Sequence, residues 1–190
     1  VKYGVGIDAI DLDAARERGI PVVNVPAYAE ETVAEGAFML LLALAKRVKP
    51  LQAQMQQQGW AWPEPRWLAH DLAGRTLGLV GLGRIGRSMA RMATAFRMRV
   101  LAYNPGMDPA QVPAGVELCD TLAGMLPHCD AVSIHCTLNP GSRGLMGAAQ
   151  FAAMKRGAWL VNVSRGEICD EAALVQALQS GQLGGAGLDV

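Results

Sequence analysis

The chain has 190 residues, a length that suits one domain, or one domain with part of another. Seventeen basic and seventeen acidic residues leave no net charge and only 5% of residues are aromatic, so neither the electrostatic footprint nor the stacking surface of a nucleic-acid binder is present. Hydrophobic content of 51% supports a real core, yet the longest apolar run, Ala37 to Ala45, is nine residues and too short to span a bilayer; no basic stretch leading into an apolar one opens the chain, so no signal peptide is read.

In chain order, Asp11 is placed to N-cap a short helix through Arg18, with Gly19 at its C′ position. Ile20 to Val25 reads as a strand ended by Pro26. Glu30 to Val48 reads as one helix, with acids in its first turn and Lys46 and Arg47 in its last, as the macrodipole prefers. It is apolar nearly all round from Ala37 to Ala45, so it is expected to be buried, in the core or at a subunit interface. Leu51 to Asp71 is a polar, Gln-rich connection carrying Trp60, Trp62 and Trp67. Two readings stand for it: an arm packed on a second subunit, or a loop anchored on its own domain.

The stretch that organises the rest is Thr76 to Gly86, TLGLVGLGRIG. The apolar run Leu77 to Val80 reads as a buried strand, Gly81-Leu82-Gly83-Arg84-Ile85-Gly86 as a glycine-rich turn, and the residues after it as a helix. That order is the context a dinucleotide-binding fingerprint requires. Gly81 makes the tight turn, Gly83 lets a pyrophosphate approach the backbone, and Gly86 lets the helix pack on the strand. The anion then sits on free N–H groups at the helix N-terminus. The plain alternative is a glycine-rich turn with no ligand.

Downstream, strands (Arg99 to Tyr103, Ala131 to His135, Ala158 to Val163, Gly185 to Val190) alternate with helices (Asp120 to Leu126, Gln150 to Met154, Asp170 to Ser180). Such alternation predicts an α/β fold, a doubly wound parallel sheet with helices on both faces. Ligands then bind at the carboxyl ends of the strands, where Asn104, His135-Cys136-Thr137, Asn162 to Arg165 and Asp189 fall. An acidic residue about 20 positions past the glycines normally holds the ribose 2′-hydroxyl of NAD; here the position is Asn104, which can bond a hydroxyl but repels no phosphate. No Arg or Lys follows it in Pro105-Gly106-Met107-Asp108, and Arg84 in the turn is the nearby cation. The cofactor is read as NAD, with NADP left open.

Arg165, just past a strand, is placed to grip a carboxylate through two parallel N–H···O bonds and to polarise an adjacent carbonyl; the alternative is a surface Arg pairing with Glu167 or Asp170. His135 is placed to touch the cofactor or act as an acid, though a single His there is more often an orienting or packing residue, and His70 and His128 read as ordinary. Cys119, Cys129, Cys136 and Cys169 form no C-x-x-C pair and no zinc spacing. They read as reduced thiols of a cytoplasmic protein, with no metal site.

With these motifs in view, the chain resembles the D-isomer-specific 2-hydroxyacid dehydrogenases over essentially its whole length. The matching stretches are Gly4-Val5-Gly6-Ile7-Asp8, Asn24-Val25-Pro26-Ala27-Tyr28, Thr32-Val33-Ala34-Glu35, Leu72-Ala73-Gly74-Arg75-Thr76 with the fingerprint, Ser133-Ile134-His135-Cys136, Met154-Lys155-Arg156-Gly157-Ala158, Asn162-Val163-Ser164-Arg165-Gly166-Glu167 and Gly185-Ala186-Gly187-Leu188-Asp189-Val190. The resemblance implies a Rossmann-type dinucleotide-binding domain (residues 29–190) with a remnant of a second, substrate domain and its hinge (residues 1–28). It implies hydride transfer between NAD(P)(H) and a small 2-oxo acid, in a homodimer built partly by the Trp-rich region. Arg165 matches the catalytic Arg. Backbone N–H groups of Val5 and Gly6, with Lys2 and Tyr28 close by, match the carboxylate-binding loop. Gly81, Gly83, Arg84, Ile85, Gly86, Asn104, His135, Cys136, Thr137, Val163, Ser164 and Asp189 match cofactor positions, Asp189 at the nicotinamide carboxamide.

Departures from the family pattern are Asn104 for Asp, Ala9 for Asn and Thr137 for Pro. The family's proton-donating His and its Glu partner are expected beyond Val190. These residues are therefore expected to be a piece of a longer chain, nearly inactive alone, since general acid catalysis supplies about 10²–10⁴ in rate. Two other outcomes are an NAD(H)-sensing corepressor-like module, and the same fold acting on formate or phosphonate.

Overall fold

The computed structural model describes residues 1–60, 64–65 and 68–190. Along them run α1 (Leu12–Glu17), α2 (Glu30–Ala45), α3 (Val48–Gln58), β1 (Thr76–Val80), α4 (Arg84–Ala95), β2 (Arg99–Tyr103), β3 (Val116–Leu118), α5 (Leu122–Met125), β4 (Ala131–Ile134), α6 (Ala148–Ala153), β5 (Ala158–Asn162), α7 (Glu171–Gln179) and β6 (Leu183–Leu188). The described chain divides into two compact units, Val1–Glu30 and Glu31–Val190.

In the larger unit six parallel strands form one sheet, ordered β3-β2-β1-β4-β5-β6. That is the doubly wound order, with its reversal between β1 and β4. Strand side chains alternate between two cores, as a period of two requires. Leu77, Leu79, Val100, Ala102, Trp159 and Val161 join the core shared with α2 and α4. Val80, Leu101, Val132, Ile134 and Leu160 join the core beneath α5, α6 and α7. Covering both faces leaves β1, β4 and β5 buried along their whole length, which is why they read as unbroken apolar runs. Helix α2 comes close to β6: a Cβ at Gly187 would meet Leu40 Cβ at 2.9 Å, and one at Gly185 would meet Leu44 Cδ2 at 2.8 Å.

Asp130 fixes the opposite, amino edge of the sheet. Its Oδ2 accepts the Thr76 N–H at 2.8 Å and its Oδ1 takes Lys155 Nζ at 3.0 Å. Arg75 lies 5.2 Å over the Trp159 ring, and His70 lies 5.6 Å from it on centroids, which accounts for His70 as a packing residue.

In the smaller unit the Asp11 side chain accepts the Ala14 N–H at 2.9 Å and caps α1, as expected. The strand expected at Ile20 to Val25 is not there; one bridge joins Asn24 to Lys2. Pro21 and Pro26 each lack a ladder donor, and Ile20 and Val23 are exposed, so the apolar run has neither the donors nor the burial of a strand.

The single helix expected over Glu30 to Val48 is two helices. Pro50 in a continuous helix would lose its bond to the Lys46 carbonyl and clash with it. The chain instead turns at Arg47, in the left-handed region at φ 54°, and restarts as α3 with Pro50 in its first turn. So Val48 to Gln58, part of it expected as loop, is helical. Nor is α2 buried all round. Ala34, Ala37, Phe38, Leu41 and Ala45 are, whereas Met39 is 57% exposed. Of the Trp-rich segment, Trp60 is exposed, while Trp62 and Trp67 lie outside the described residues. Strand β3 carries little sequence signal, because only Val116 and Leu118 of its three residues turn inward; Arg99 holds its Glu117 with two bonds of 2.8 and 2.6 Å.

Candidate functional site

Strand register brings the carboxyl ends of five strands level: Val80 stands beside Tyr103 and Ile134, Ile134 beside Asn162, and Asn162 beside Leu188. The residues that leave those ends, Gly81, Asn104, His135, Val163 and Asp189, are therefore neighbours on one edge. Backbone bonds tie them: Gly81 N–H to Tyr103 O at 2.9 Å, His135 N–H to Val80 O at 2.8 Å, and Asp189 N–H to Asn162 O at 3.0 Å.

The glycine turn has the shape a dinucleotide needs. At Gly81 φ is +99°, and a Cβ there would lie 2.6 Å from the Cys136 backbone nitrogen; a Cβ at Gly86 would strike the Gly81 carbonyl oxygen. The first and third glycines thus lock turn, helix and β4 together. At Gly83, the N-cap of α4, a Cβ would meet nothing within 4 Å. The middle glycine opens onto free space at a helix N-terminus, where backbone donors and the dipole favour an anion. Arg84 and Ile85 open α4, Arg84 exposed and Ile85 packed on the core. Asn104 Oδ1 accepts the Leu82 N–H at 3.0 Å, which joins the end of β2 to the middle of the turn.

Arg165 sits on a turn built by Asn162, a residue 1% exposed. The Asn162 amide accepts the Ser164 N–H at 3.0 Å and donates to the Arg165 carbonyl at 2.9 Å. Ser164 also donates its hydroxyl to the Cys136 carbonyl, tying the turn to β4. The Arg165 guanidinium donates to the Ser164 carbonyl at 2.7 Å. Of the carboxylates weighed as its surface partners, Asp170 caps α7 by accepting the Ala173 N–H at 3.0 Å. Asn162 is the working residue that the sequence reading placed at the edge without giving it a task. Its signal was an amide two residues before a Ser and three before an Arg at a strand end, and its job became visible only with the register.

His135 lies under the glycine turn. Its Nε2 is 2.9 Å from the Ser133 hydroxyl, and its Nδ1 is buried with no partner among the described residues. Burial lowers its pKa from 6.5 to about 4, so the ring is neutral near pH 7 and suits packing better than proton delivery. Thr137 is exposed, and its carbonyl accepts the Ser142 hydroxyl at 2.7 Å. Val163 packs against the α2 core. The four cysteines are free thiols. Burial raises each pKa, Cys129 to about 12 and Cys169 to about 11, so thiolate nucleophiles are disfavoured. Among the described residues no group of three metal-binding side chains exists, and no helix is long and apolar enough to cross a membrane.

The smaller unit gathers the other expected site residues. Lys2 donates its N–H to Val23 O at 2.7 Å, and Asn24 Nδ2 donates to the Val5 carbonyl at 2.8 Å. All peptides described are trans, so holding the Val5 carbonyl also aims the Gly6 N–H in the opposite direction. Tyr28, half exposed, packs against Tyr3 with the ring centroids 5.7 Å apart and the planes tilted by 36°.

Residues 38–190 match the family model for the D-isomer specific 2-hydroxyacid dehydrogenase, NAD binding domain. The whole chain is 43% identical to a glyoxylate reductase of Korarchaeum cryptofilum, covering 58% of it. It is 40% identical to a D-3-phosphoglycerate dehydrogenase of Methanocaldococcus jannaschii, covering 36% of that protein. Among solved structures, a D-lactate dehydrogenase from Aquifex aeolicus, in complex with NAD and lactic acid, superposes with TM-score 0.90 at 34% identity; the match covers all of this chain and 58% of that one. The chain thus spans between about a third and three fifths of these proteins.

Proposed function

The chain belongs to the D-isomer specific 2-hydroxyacid dehydrogenase family, and on that premise we propose that the protein catalyses reversible hydride transfer between NAD(H) and a small 2-oxo acid. The observation that carries this is the shared edge: a glycine turn open at Gly83 lies on the same rim as Arg165, itself held by a buried amide.

NAD(H), when bound, would supply or accept the hydride. Gly81, Gly83, Arg84, Ile85 and Gly86 would hold its pyrophosphate, Asn104 its ribose and Asp189 its carboxamide, with His135, Cys136, Thr137, Val163 and Ser164 lining the site. Arg165 fixes the substrate carboxylate with paired N–H donors and stabilises negative charge growing on the carbonyl oxygen. The Val5 and Gly6 N–H groups, with Lys2 and Tyr28, are assigned to carboxylate binding. No proton is routed through His135, whose depressed pKa and bond to Ser133 make it a poor donor.

In the same reading residues 1–28 belong to a substrate domain and its hinge, and residues 29–190 are the dinucleotide-binding domain. The division into Val1–Glu30 and Glu31–Val190 supports that boundary. Free thiols support a cytoplasmic setting. The test is NADH consumption by the whole gene product over a panel of 2-oxo acids, with Arg165→Ala as comparison. Arg165→Ala is expected to lose about 10²–10³ or more in kcat/KM while still binding NADH. Undiminished turnover in that variant would remove Arg165 from the mechanism, and tight NADH binding with no turnover on any acid would favour a sensor.

A further inference from the structure

Ser164 is tied at all three of its polar groups, each to a different residue. Its N–H donates to Asn162 Oδ1 at 3.0 Å, its hydroxyl donates to the Cys136 carbonyl, and its own carbonyl accepts from Arg165 Nη1 at 2.7 Å. The first two bonds hold the residue from two sides, one within its own turn and one from the end of β4. The third makes its carbonyl the seat of a guanidinium. A donor committed to a fixed carbonyl restricts the planes a guanidinium can take, and a two-bond grip on a carboxylate depends on that plane.

Cys136, which anchors the hydroxyl, is itself pressed against the glycine turn. A Cβ at Gly81 would lie 2.6 Å from its nitrogen and 2.9 Å from its Cα, and the His135 N–H before it donates to Val80 O at 2.8 Å. Backbone packed this closely on backbone transmits a displacement instead of absorbing it. A continuous path thus runs from Gly81 through Cys136 and Ser164 to the Arg165 side chain, and the Ser164 hydroxyl is the side-chain link in it. Asn162 holds the turn without that hydroxyl, through the Ser164 N–H and the Arg165 carbonyl. The fold of the turn therefore does not depend on the hydroxyl, whereas the direction of the Ser164 carbonyl does. We propose that Ser164 is a positioning residue, whose hydroxyl sets the Arg165 guanidinium relative to the dinucleotide turn. This rests on the reading of Arg165 as the carboxylate-binding group and deepens it.

The test uses the whole gene product and three readouts: kcat/KM on the 2-oxo acid it turns over best, NADH affinity by nicotinamide fluorescence, and the thermal unfolding midpoint. Ser164→Ala is expected to lower kcat/KM about tenfold or more, since misplacing a group in the site by about 1 Å can cost about a hundredfold. NADH affinity and the unfolding midpoint should stay close to wild type, because the hydroxyl proton is spent on Cys136 and Asn162 still holds the turn. Ser164→Thr keeps the hydroxyl and should recover most of the loss. In an Arg165→Lys background Ser164→Ala should cost less than about twofold, because an ammonium is a point charge with no plane to set. A Thr variant no better than Ala, an equal loss in both backgrounds, or an NADH affinity that falls in step with kcat/KM would each overturn the proposal. So would a Ser164→Ala enzyme with undiminished turnover, an outcome that leaves the reading of Arg165 standing. A wild type that binds NADH but turns over no 2-oxo acid would fell that reading, and this inference with it.

Discussion

His135 stands where acid, cofactor contact and packing must all be weighed, and its burial argues against proton delivery. It is the histidine at a carboxyl strand end, the place where ligands bind, yet its ring is held by Ser133 and its Nδ1 is sealed in without a partner. A histidine that must stay neutral ties stability to pH. Its folded-state pKa is about 4 against 6.5 when unfolded. Above pH 6.5 neither state binds the proton, and stability is at its full value. Between pH 6.5 and 4 the unfolded chain takes up a proton that the folded chain refuses, so stability falls as pH falls, by on the order of 3 kcal/mol across the window. Urea unfolding at pH 7.5 and 4.5 measures the fall. His135→Gln, which keeps a partner for Ser133 and has no charge to gain, is expected to remove most of it. An unchanged pH dependence in that variant would assign the loss to the carboxylates instead.

At the scale of elements, the glycine turn separates residues that serve the fold from residues that serve the ligand. Gly86→Ala places a methyl against the Gly81 carbonyl, backbone that cannot swing aside as a side chain could. Destabilisation by a few kcal/mol is expected, as for other overpacked sites. Gly83→Ala meets open space at an ordinary negative φ of −72°, so its unfolding free energy should stay within about 0.5 kcal/mol of wild type. What it should lose is NADH affinity, because the methyl fills the side from which the pyrophosphate approaches. Thermal unfolding and NADH titration of the two variants check the contrast, and a Gly83→Ala protein with undiminished NADH affinity would contradict it. Much of this turn was legible in the sequence, because strand, glycines and helix are local and their spacing is set by covalent geometry. The central strands were legible for a related reason: buried on both faces, they must be apolar throughout. Elements with one-sided or no burial misled. Ile20 to Val25 has a strand's composition without its donors, β3 shows two inward residues, and α2 reads on into α3 until Pro50 is given its steric weight. In the candidate site, positions could be named from strand ends alone, but tasks could not. Only the hydrogen bonds show that Asn162 shapes the Arg165 turn and that Asn104 faces Leu82 with its oxygen.

For the whole molecule, the outer side of α2 and α3 poses the remaining question. Phe38, Met39, Leu42, Ala43, Val48 and Met92 line a shallow apolar groove on the larger unit, with Glu35 near one end and Lys46 near the other. Met39 and Val48 are at least half exposed. An apolar strip bracketed by opposite charges, Glu35 on α2 and Lys46 just past its end, is self-complementary: two copies related by a two-fold axis, with their α2 helices antiparallel, set each Glu35 near the other copy's Lys46 and bury the strip between them. Lys46 already holds Asp71 at 2.8 Å, yet an ammonium has three donors, so that bond does not exhaust it. A homodimer through this face is therefore the expected assembly. Light scattering on the eluting protein should give twice the protomer mass, 40 kDa for two 20.1 kDa chains of these residues. Met39→Glu puts a charge in the middle of the strip without touching the buried face of α2, so it should shift the mass to the monomer and leave the circular dichroism spectrum unchanged. A wild type that elutes as a monomer, or a Met39→Glu variant that stays dimeric, would show that the copies do not meet on this face.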